Sequence, residues 1–170
     1  MNRINNFLKW YFTFERRPRK CGLFTFQWHI TENCNLYRKH CYQEGYHPQM
    51  SLEQMDYVLN GLNSFTKQLK MDRGFKILKT NVTITGGEPL IHKDFWKLAN
   101  KIVANKSFML TVLTNGTLIT EDIAKRLAVL KPYFVQVSID GNEEVHDYIR
   151  GKGSYNRSIE GLKYLVNEGI

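Results

Sequence analysis

Two hydrophobic periods take turns along this chain, and their alternation predicts its architecture. Short strand-like runs lie at about 24–31, 81–85, 109–114 and 133–140, and all but the third alternate apolar with polar residues at a period of two. The stretches between carry helical spacing. In the first, Leu52, Met55, Leu59, Leu62, Phe65 and Leu69 recur at three- and four-residue steps, and Ser51 with Gln54 predicts a capping box at its start. A second helix begins near His92 and Lys93 and buries Phe95, Leu98, Ile102 and Val103. The third spans about 121–131 with Thr120 as N-cap and Pro132 just past its end. The fourth spans about 156–168, closed by Gly169 as the C′ residue. Four strand–helix units in series predict a parallel sheet with right-handed crossovers.

The strands carry a second message. A parallel sheet covered on both faces reads as nearly continuous Val, Ile and Leu. Here Thr25, Gln27, His29 and Thr31 oppose Phe24, Phe26, Trp28 and Ile30. Asn81, Thr83 and Thr85 oppose Val82 and Ile84, while Gln136, Ser138 and Asp140 oppose Val135, Val137 and Ile139. One face can pack helices; the other is costly to bury dry. A sheet curved into an open barrel with a wet, ligand-holding lumen accounts for both faces. The crossover helices argue against the alternative, a single-layer sheet with one solvated face.

Bulk properties narrow this picture. A chain of 170 residues with 42% hydrophobic and 13% aromatic content builds one globular domain with a sizeable core. Three cysteines, an odd number, argue against a disulfide framework and for a reducing, cytoplasmic setting. Lys9 interrupts the early apolar run, so no signal-peptide core is expected, and no stretch reaches transmembrane length. Of the net charge of +8, much lies in Arg16-Arg17-Pro18-Arg19-Lys20. Residues 1–22 therefore read as a basic N-terminal extension, with the core domain at 23–170. The basic run fits a solvated linker, or alternatively a docking patch for an acidic peptide or nucleic acid. Neither a stacking-aromatic signature nor a recognition helix accompanies it, so no nucleic-acid partner is expected.

All four strands end at the same sheet edge, where α/β folds build their sites. The loops there are Cys34-Asn35-Leu36-Tyr37-Arg38-Lys39-His40-Cys41, Gly86-Gly87-Glu88-Pro89, Thr114-Asn115-Gly116-Thr117 and Ser138-Ile139-Asp140-Gly141. Cys34 and Cys41 lie seven apart, and a thiolate at position 38 would complete a three-sulfur loop of the kind that holds a [4Fe–4S] cluster. Position 38 is Arg38, a permanent cation with no lone pair to give a metal. Cys21 is a poor substitute: it precedes the first strand, about ten residues at roughly 3.3 Å each from the loop.

These loops resemble the radical SAM superfamily over about residues 24–170. The resemblance rests on the four loops, with Tyr42, Leu90 and Val137 flanking them, and on the tail His146-Asp147-Tyr148-Ile149-Arg150-Gly151-Lys152-Gly153-Ser154-Tyr155. That tail is most similar to the branch that modifies peptides and proteins and often carries a C-terminal SPASM cluster domain. The resemblance implies a partial TIM-type (β/α) barrel, with about four of the usual six strand–helix units present. It further implies that Cys34 and Cys41 are two of three ligands of a [4Fe–4S] cluster. Gly86, Gly87, Glu88 and Pro89 would hold the amino group of S-adenosylmethionine, with Glu88 contributing its side chain. Ser138 would lie near the ribose, His40 near the adenine, Arg150 on the methionine carboxylate, and Asn115 in the same cofactor-binding set. No catalytic residue beyond the cluster loop is implied; the reduced cluster would cleave the cofactor to a 5′-deoxyadenosyl radical that abstracts hydrogen from a peptide or protein substrate. Plainer roles stand beside some of these. His29 reads as an ordinary polar strand residue, His146 and Asp147 as braces of the loop before the fourth helix, and Glu88 alternatively as a helix cap.

Two departures from the family pattern shape the expected function. Arg38 puts a cation where the family has a thiolate, so a cluster would bind weakly. The sequence ends where a fifth strand is expected, which reads as a truncated chain whose remaining strands are absent or supplied by another chain. The expectation is an impaired radical SAM domain; the alternatives are a binding module that keeps the S-adenosylmethionine or peptide pocket, or a non-functional fragment.

Overall fold

A computed structural model of the chain describes residues 21–39 and 49–170. Within them lie strands β1 (Cys21–Thr31), β2 (Ile77–Gly86), β3 (Phe108–Thr114) and β4 (Phe134–Val137). Helices α1 (Leu52–Asp72), α2 (Phe95–Ala104), α3 (Glu121–Leu130), α4 (Glu143–Arg150) and α5 (Ser154–Asn167) complete the order, with a 3₁₀ turn at Pro89–Ile91 before α2. All strand pairs are parallel, in the order β1-β2-β3-β4, and the sheet is open. This is the parallel strand–helix series that the alternating periods predict, and the partial (β/α) barrel that the resemblance implies.

The expected caps form. Ser51 and Gln54 make the reciprocal capping box of α1, and Thr120 accepts from the Ile123 N–H at the start of α3. Gly169, at φ +77, turns the chain out of α5 while the Ile170 N–H reaches the Leu165 carbonyl. The left-handed residue and the back-reaching bond satisfy carbonyls that the helix end leaves open. Several boundaries differ from expectation: β1 begins at Cys21, so that residue is in the strand rather than before it, β2 runs from Ile77 to Gly86, and α5 starts at Ser154. Residues 89–91 form a separate turn, so α2 starts at Phe95, and β4 ends at Val137 because Ser138, Ile139 and Asp140 leave the ladder. Helix α4 replaces the loop expected there. Asn142 caps it by accepting from the Val145 N–H, Glu143 and Glu144 occupy its first turn, and Arg150 its last, all favourable to the helix dipole.

The helices cover one sheet face. Trp28, Ile30, Val82, Ile84, Leu110 and Val112 meet Met55, Phe95, Leu98, Ile102, Leu127 and Leu165 in a single cluster. Each such side chain contributes about 1.5–3 kcal/mol by leaving water. The other face is polar, as expected. Thr25, Gln27 and His29 of β1 are exposed on it, while Asn81 and Thr111 of the central strands share a 2.8 Å hydrogen bond there. Thr31 departs from the simple alternation: the β1–β2 register shifts between His29 and Thr31, and Thr31 is buried. Among the described residues no helix is long and apolar enough to cross a membrane.

Candidate functional site

Close approach of two backbones places the first loop. A methyl group at Gly86 or Gly87 would collide with the carbonyl oxygens of Thr31 or Asn33, and Gly86 also holds φ +144. Only glycine allows this contact. It lets the Gly87 N–H donate to Thr31 O (2.8 Å) and the Glu88 N–H to Asn33 O (2.9 Å), drawing the segment that ends in Cys34 onto the tip of β2.

Glu88 secures the neighbouring loop. Its side chain is fully buried, and Oε1 accepts from the Thr114 hydroxyl (2.8 Å) and the Leu90 N–H (3.2 Å) while Oε2 accepts from the Asn115 N–H (2.8 Å). Burial raises its pKa above the ordinary carboxyl value, and these donors, chiefly the Asn115 N–H, act the other way. The carboxylate thus joins the tips of β2 and β3.

Asn115 then reaches the first loop. Its Nδ2 donates to Asn35 Oδ1 at 2.9 Å and lies 3.9 Å from the Cys34 sulfur, which the Leu36 N–H approaches at 3.5 Å. Asn35 Nδ2 in turn donates to the Thr117 hydroxyl at 2.9 Å. Behind them α5 packs on the Asn115 turn: Ser158 Oγ donates to Asn115 O, and a methyl group at Gly161 would strike Gly116 O.

Helix α4 closes the fourth side. Arg150, only 5% exposed, donates through Nε and Nη2 to both oxygens of Asp140 at 2.5 and 3.2 Å. His146 is fully buried; its Nδ1 accepts from the Asp140 N–H at 3.2 Å, and burial holds its pKa below the ordinary imidazole value. Asp147 starts α5 by accepting from the Gly153 and Tyr155 N–H groups, with the Tyr155 bond foremost in lowering its pKa. His146 and Asp147 are therefore braces, as their sequence context suggests. The far end of the first loop docks on the same helix: the Lys39 N–H donates to Ile149 O at 3.1 Å, and its ammonium sits 3.1 Å from the centre of the Tyr148 ring.

These contacts enclose a cavity of about 180 Å³. Cys34, Arg38, Gly86, Gly87, Asn115, Ser138 and Arg150 line it, with Gln27, His29 and Thr85 reaching in from the open sheet face. Six sequence-predicted site residues thus converge, Cys34, Gly86, Gly87, Asn115 and Ser138 from the four strand ends and Arg150 from the end of α4. Glu88 and Pro89 are buried beside the cavity and are not among its lining residues. His40 and Cys41 lie outside the described residues. Cys21 is exposed at the opposite end of β1, paired with Ile77. Sequence reasoning did not anticipate that Asp140 would hold Arg150, or that His29 would line the cavity. Asp140 was visible only as a strand-end residue ten positions before Arg150.

The lining includes two guanidiniums, an imidazole and a thiol, and neither Asp nor Glu. It therefore suits an anionic group better than a bare cation. Among the described residues no group of three or more His, Cys, Asp or Glu side chains is placed to hold a metal ion.

Comparison with known proteins agrees with this geometry. The model of the Radical SAM superfamily matches residues 28–170. Among curated relatives, Fe-coproporphyrin III synthase of Methanosarcina barkeri is 32% identical over 148 residues, covering 84% of this chain and 34% of the relative. Mycofactocin maturase MftC of Mycolicibacterium smegmatis is 32% identical over 147 residues, with the same coverage of both chains. The chain thus spans about a third of the length of these relatives. Among solved structures, anSMEcpe with bound AdoMet and the Cp18Cys peptide superposes with a TM-score of 0.65 at 22% identity, covering 88% of this chain and 41% of that one. SuiB of Streptococcus suis, bound to precursor peptide SuiA, gives 0.60 at 19% identity over 97% and 34% of the two chains. An open parallel sheet, four loops converging at its carboxyl edge and a family match from Trp28 onward make this chain a member of the radical SAM superfamily.

Proposed function

We propose that this chain is the S-adenosylmethionine-binding core of a peptide- or protein-modifying radical SAM protein, with its cluster loop disabled at Arg38. The observation that carries the reading is the convergence of Cys34, Arg38, Gly86, Gly87, Asn115, Ser138 and Arg150 on one cavity from four strand ends and helix α4. The core in this reading begins with β1 at Cys21, two residues before the expected 23–170, and the basic run Arg16 to Lys20 precedes it in the sequence.

The family works with two cofactors, a [4Fe–4S] cluster and S-adenosylmethionine. The second fits the residues present. Gly86 and Gly87 present backbone that no Cβ obstructs, Ser138 and Asn115 offer hydroxyl and amide, and Arg150 offers a guanidinium suited to a carboxylate. Glu88 serves this site from behind, by fixing the Thr114 and Asn115 turn against the Gly86-Gly87 loop. His40 is assigned to the adenine side. S-Adenosylmethionine supplies the 5′-deoxyadenosyl group of the family's chemistry; the residues here bind and orient it. The cluster does not fit the described loop. Cys34 brings one thiol, with two N–H groups directed at its sulfur, but Arg38 lines the cavity where a further thiolate is needed. No radical step is therefore assigned to this chain as it stands.

The test is anaerobic iron–sulfur reconstitution of the native chain and Arg38→Cys, read by EPR after reduction. A [4Fe–4S] signal confined to Arg38→Cys is the expected result. A signal of equal size in the native chain would show that another ligand completes the site, and no signal in either would remove the cluster-loop assignment. Mycofactocin maturase among the relatives and two neighbours crystallised with peptides support a peptide or protein substrate. The competing reading, a binding module without redox chemistry, is favoured by one observation, the arginine inside the cavity.

A further inference from the structure

We propose that the amino edge of the sheet, opposite the S-adenosylmethionine cavity, is a docking groove for an acidic peptide segment with an apolar anchor. The inference goes beyond the cofactor reading and does not depend on it.

A groove of about 550 Å³ lies between the starts of β3 and β4 and the ends of α2 and α3. Val103, Phe108, Leu110, Leu130 and Tyr133 line it, and Lys131 is its one charged lining residue. Phe108, Leu110 and Leu130 are buried, while Tyr133 is 60% exposed, so apolar side chains run from the core out to the surface. A concave, largely apolar opening with one placed charge is the usual form of a binding site.

Lys131 also holds an unusual backbone conformation. It ends α3 at φ 49 and ψ 58, and is the one non-glycine residue with positive φ among the described residues. Glycine enters this region without steric cost, whereas lysine does not. Strain of this kind clusters at functional sites, and here it places a cation at an apolar groove.

Cations continue along the same edge. Residues 67–80, 104–109 and 130–134 contain seven Lys or Arg residues and one acid, Asp72. Lys70 complements the dipole of α1, but Lys76, Lys79 and Lys106 lie past the last turn of any helix. Lys79 donates to the Lys106 carbonyl at 2.7 Å, which sets its charge beside the start of β3. Among the described residues none of the seven is ion-paired. A single carboxylate cannot answer charges spread over three turns. A segment with several acidic residues can, and an apolar side chain among them can enter the groove.

The experiment is fluorescence anisotropy of labelled peptides titrated with the full chain. The probe is a short peptide of Asp and Glu around a central Leu-Phe pair. Two others carry Ser-Ser at the centre, or Lys in place of every acid. Native protein is expected to bind the probe in the micromolar range and the Lys peptide not at all. Ser-Ser should weaken binding about tenfold or more, the scale of an apolar side chain leaving water. Lys131→Gly relieves the left-handed strain, so its thermal midpoint should not fall, yet binding should weaken about threefold. Lys76→Gln combined with Lys106→Gln should weaken it about fivefold, and Lys163→Gln, an exposed change on α5, should leave it unaltered. Equal affinity in native, Lys131→Gly and doubly substituted proteins would overturn the location, and equal binding of the Ser-Ser peptide would overturn the apolar anchor. Capture of the protein by phosphatidylserine vesicles, with no peptide binding up to about 1 mM, would overturn the peptide partner. A native dimer that becomes monomeric on Tyr133→Ser would show that a second copy fills the groove instead. None of these outcomes bears on the cofactor reading, so the two fail separately.

Discussion

Glu88 ties two loops of the site together through one buried charged side chain. Three donors from two loops meet on its carboxylate, and nothing else described links the tip of β2 to the Asn115 turn through a charge. Glu88→Ala would leave the Thr114 hydroxyl and the Asn115 N–H buried without an acceptor. Each such orphan costs about 1–3 kcal/mol, so a loss of about 3 kcal/mol in urea unfolding is expected. Glu88→Gln keeps one acceptor oxygen and should lose about half as much. If Glu88→Ala unfolds at the native midpoint, the carboxylate is not the link described here. Arg150 is similarly committed, to Asp140, so a ligand carboxylate has to share or displace that partner.

The helices are positioned by what their small residues permit. Gly161 of α5 lies against the Gly116 carbonyl, and an added methyl group has no room there. Gly61 of α1 has no atom within 4 Å of where its Cβ would stand. The same change should therefore act in opposite directions. Gly61→Ala should stabilise by about 0.5–1 kcal/mol through reduced backbone entropy in the unfolded chain. Gly161→Ala should destabilise by about 1–3 kcal/mol as α5 is pushed off the Asn115 turn. Thermal melts of the two variants decide it, and shifts of the same sign would contradict this packing. Loss at Gly161 should also disturb the cavity, because Ser158 of that helix holds Asn115 O.

For the whole molecule, the buried groups set how stability depends on pH. Burial lowers the pKa of His92 and His146 from 6.5, and each uses Nδ1 to accept a backbone N–H. The unfolded chain takes up these protons near pH 6.5 while the folded chain resists, so this contribution is full above that pH and is lost as pH falls towards the folded values. Asp147 and Asp94 are lowered from 3.8, which adds a second loss below pH 4. Glu88, raised from 4.5, opposes this: its contribution is full below 4.5 and declines as pH rises through its folded pKa. The net expectation is a fall in unfolding free energy between pH 7.5 and 5.5 that is smaller in His146→Gln. Identical falls in both proteins would remove His146 from the account.

The sequence by itself determined the kind and order of the elements, the polar sheet face and the meeting of four loops at one edge. These follow from local rules: period two against period 3.6, capping pairs such as Ser51 with Gln54, and parallel strands that must all end on the same side. It also exposed Arg38, because a missing thiolate in a spaced set is legible without coordinates. Tertiary structure alone decided that Glu88 turns inward to Thr114 and Asn115, that Asp140 claims Arg150, and that Lys39 docks on Tyr148. Helix α4 was foreshadowed by Asn142, Glu143, Glu144 and Arg150, but eight residues are too few to show a reliable period. Such pairings join residues from 10 to 109 positions apart, as Asp140 with Arg150 and Lys39 with Tyr148 illustrate. Which of several competent donors finds which acceptor depends on how each loop leaves its strand, and that direction is fixed only when backbones pack as closely as Gly86 and Gly87 allow.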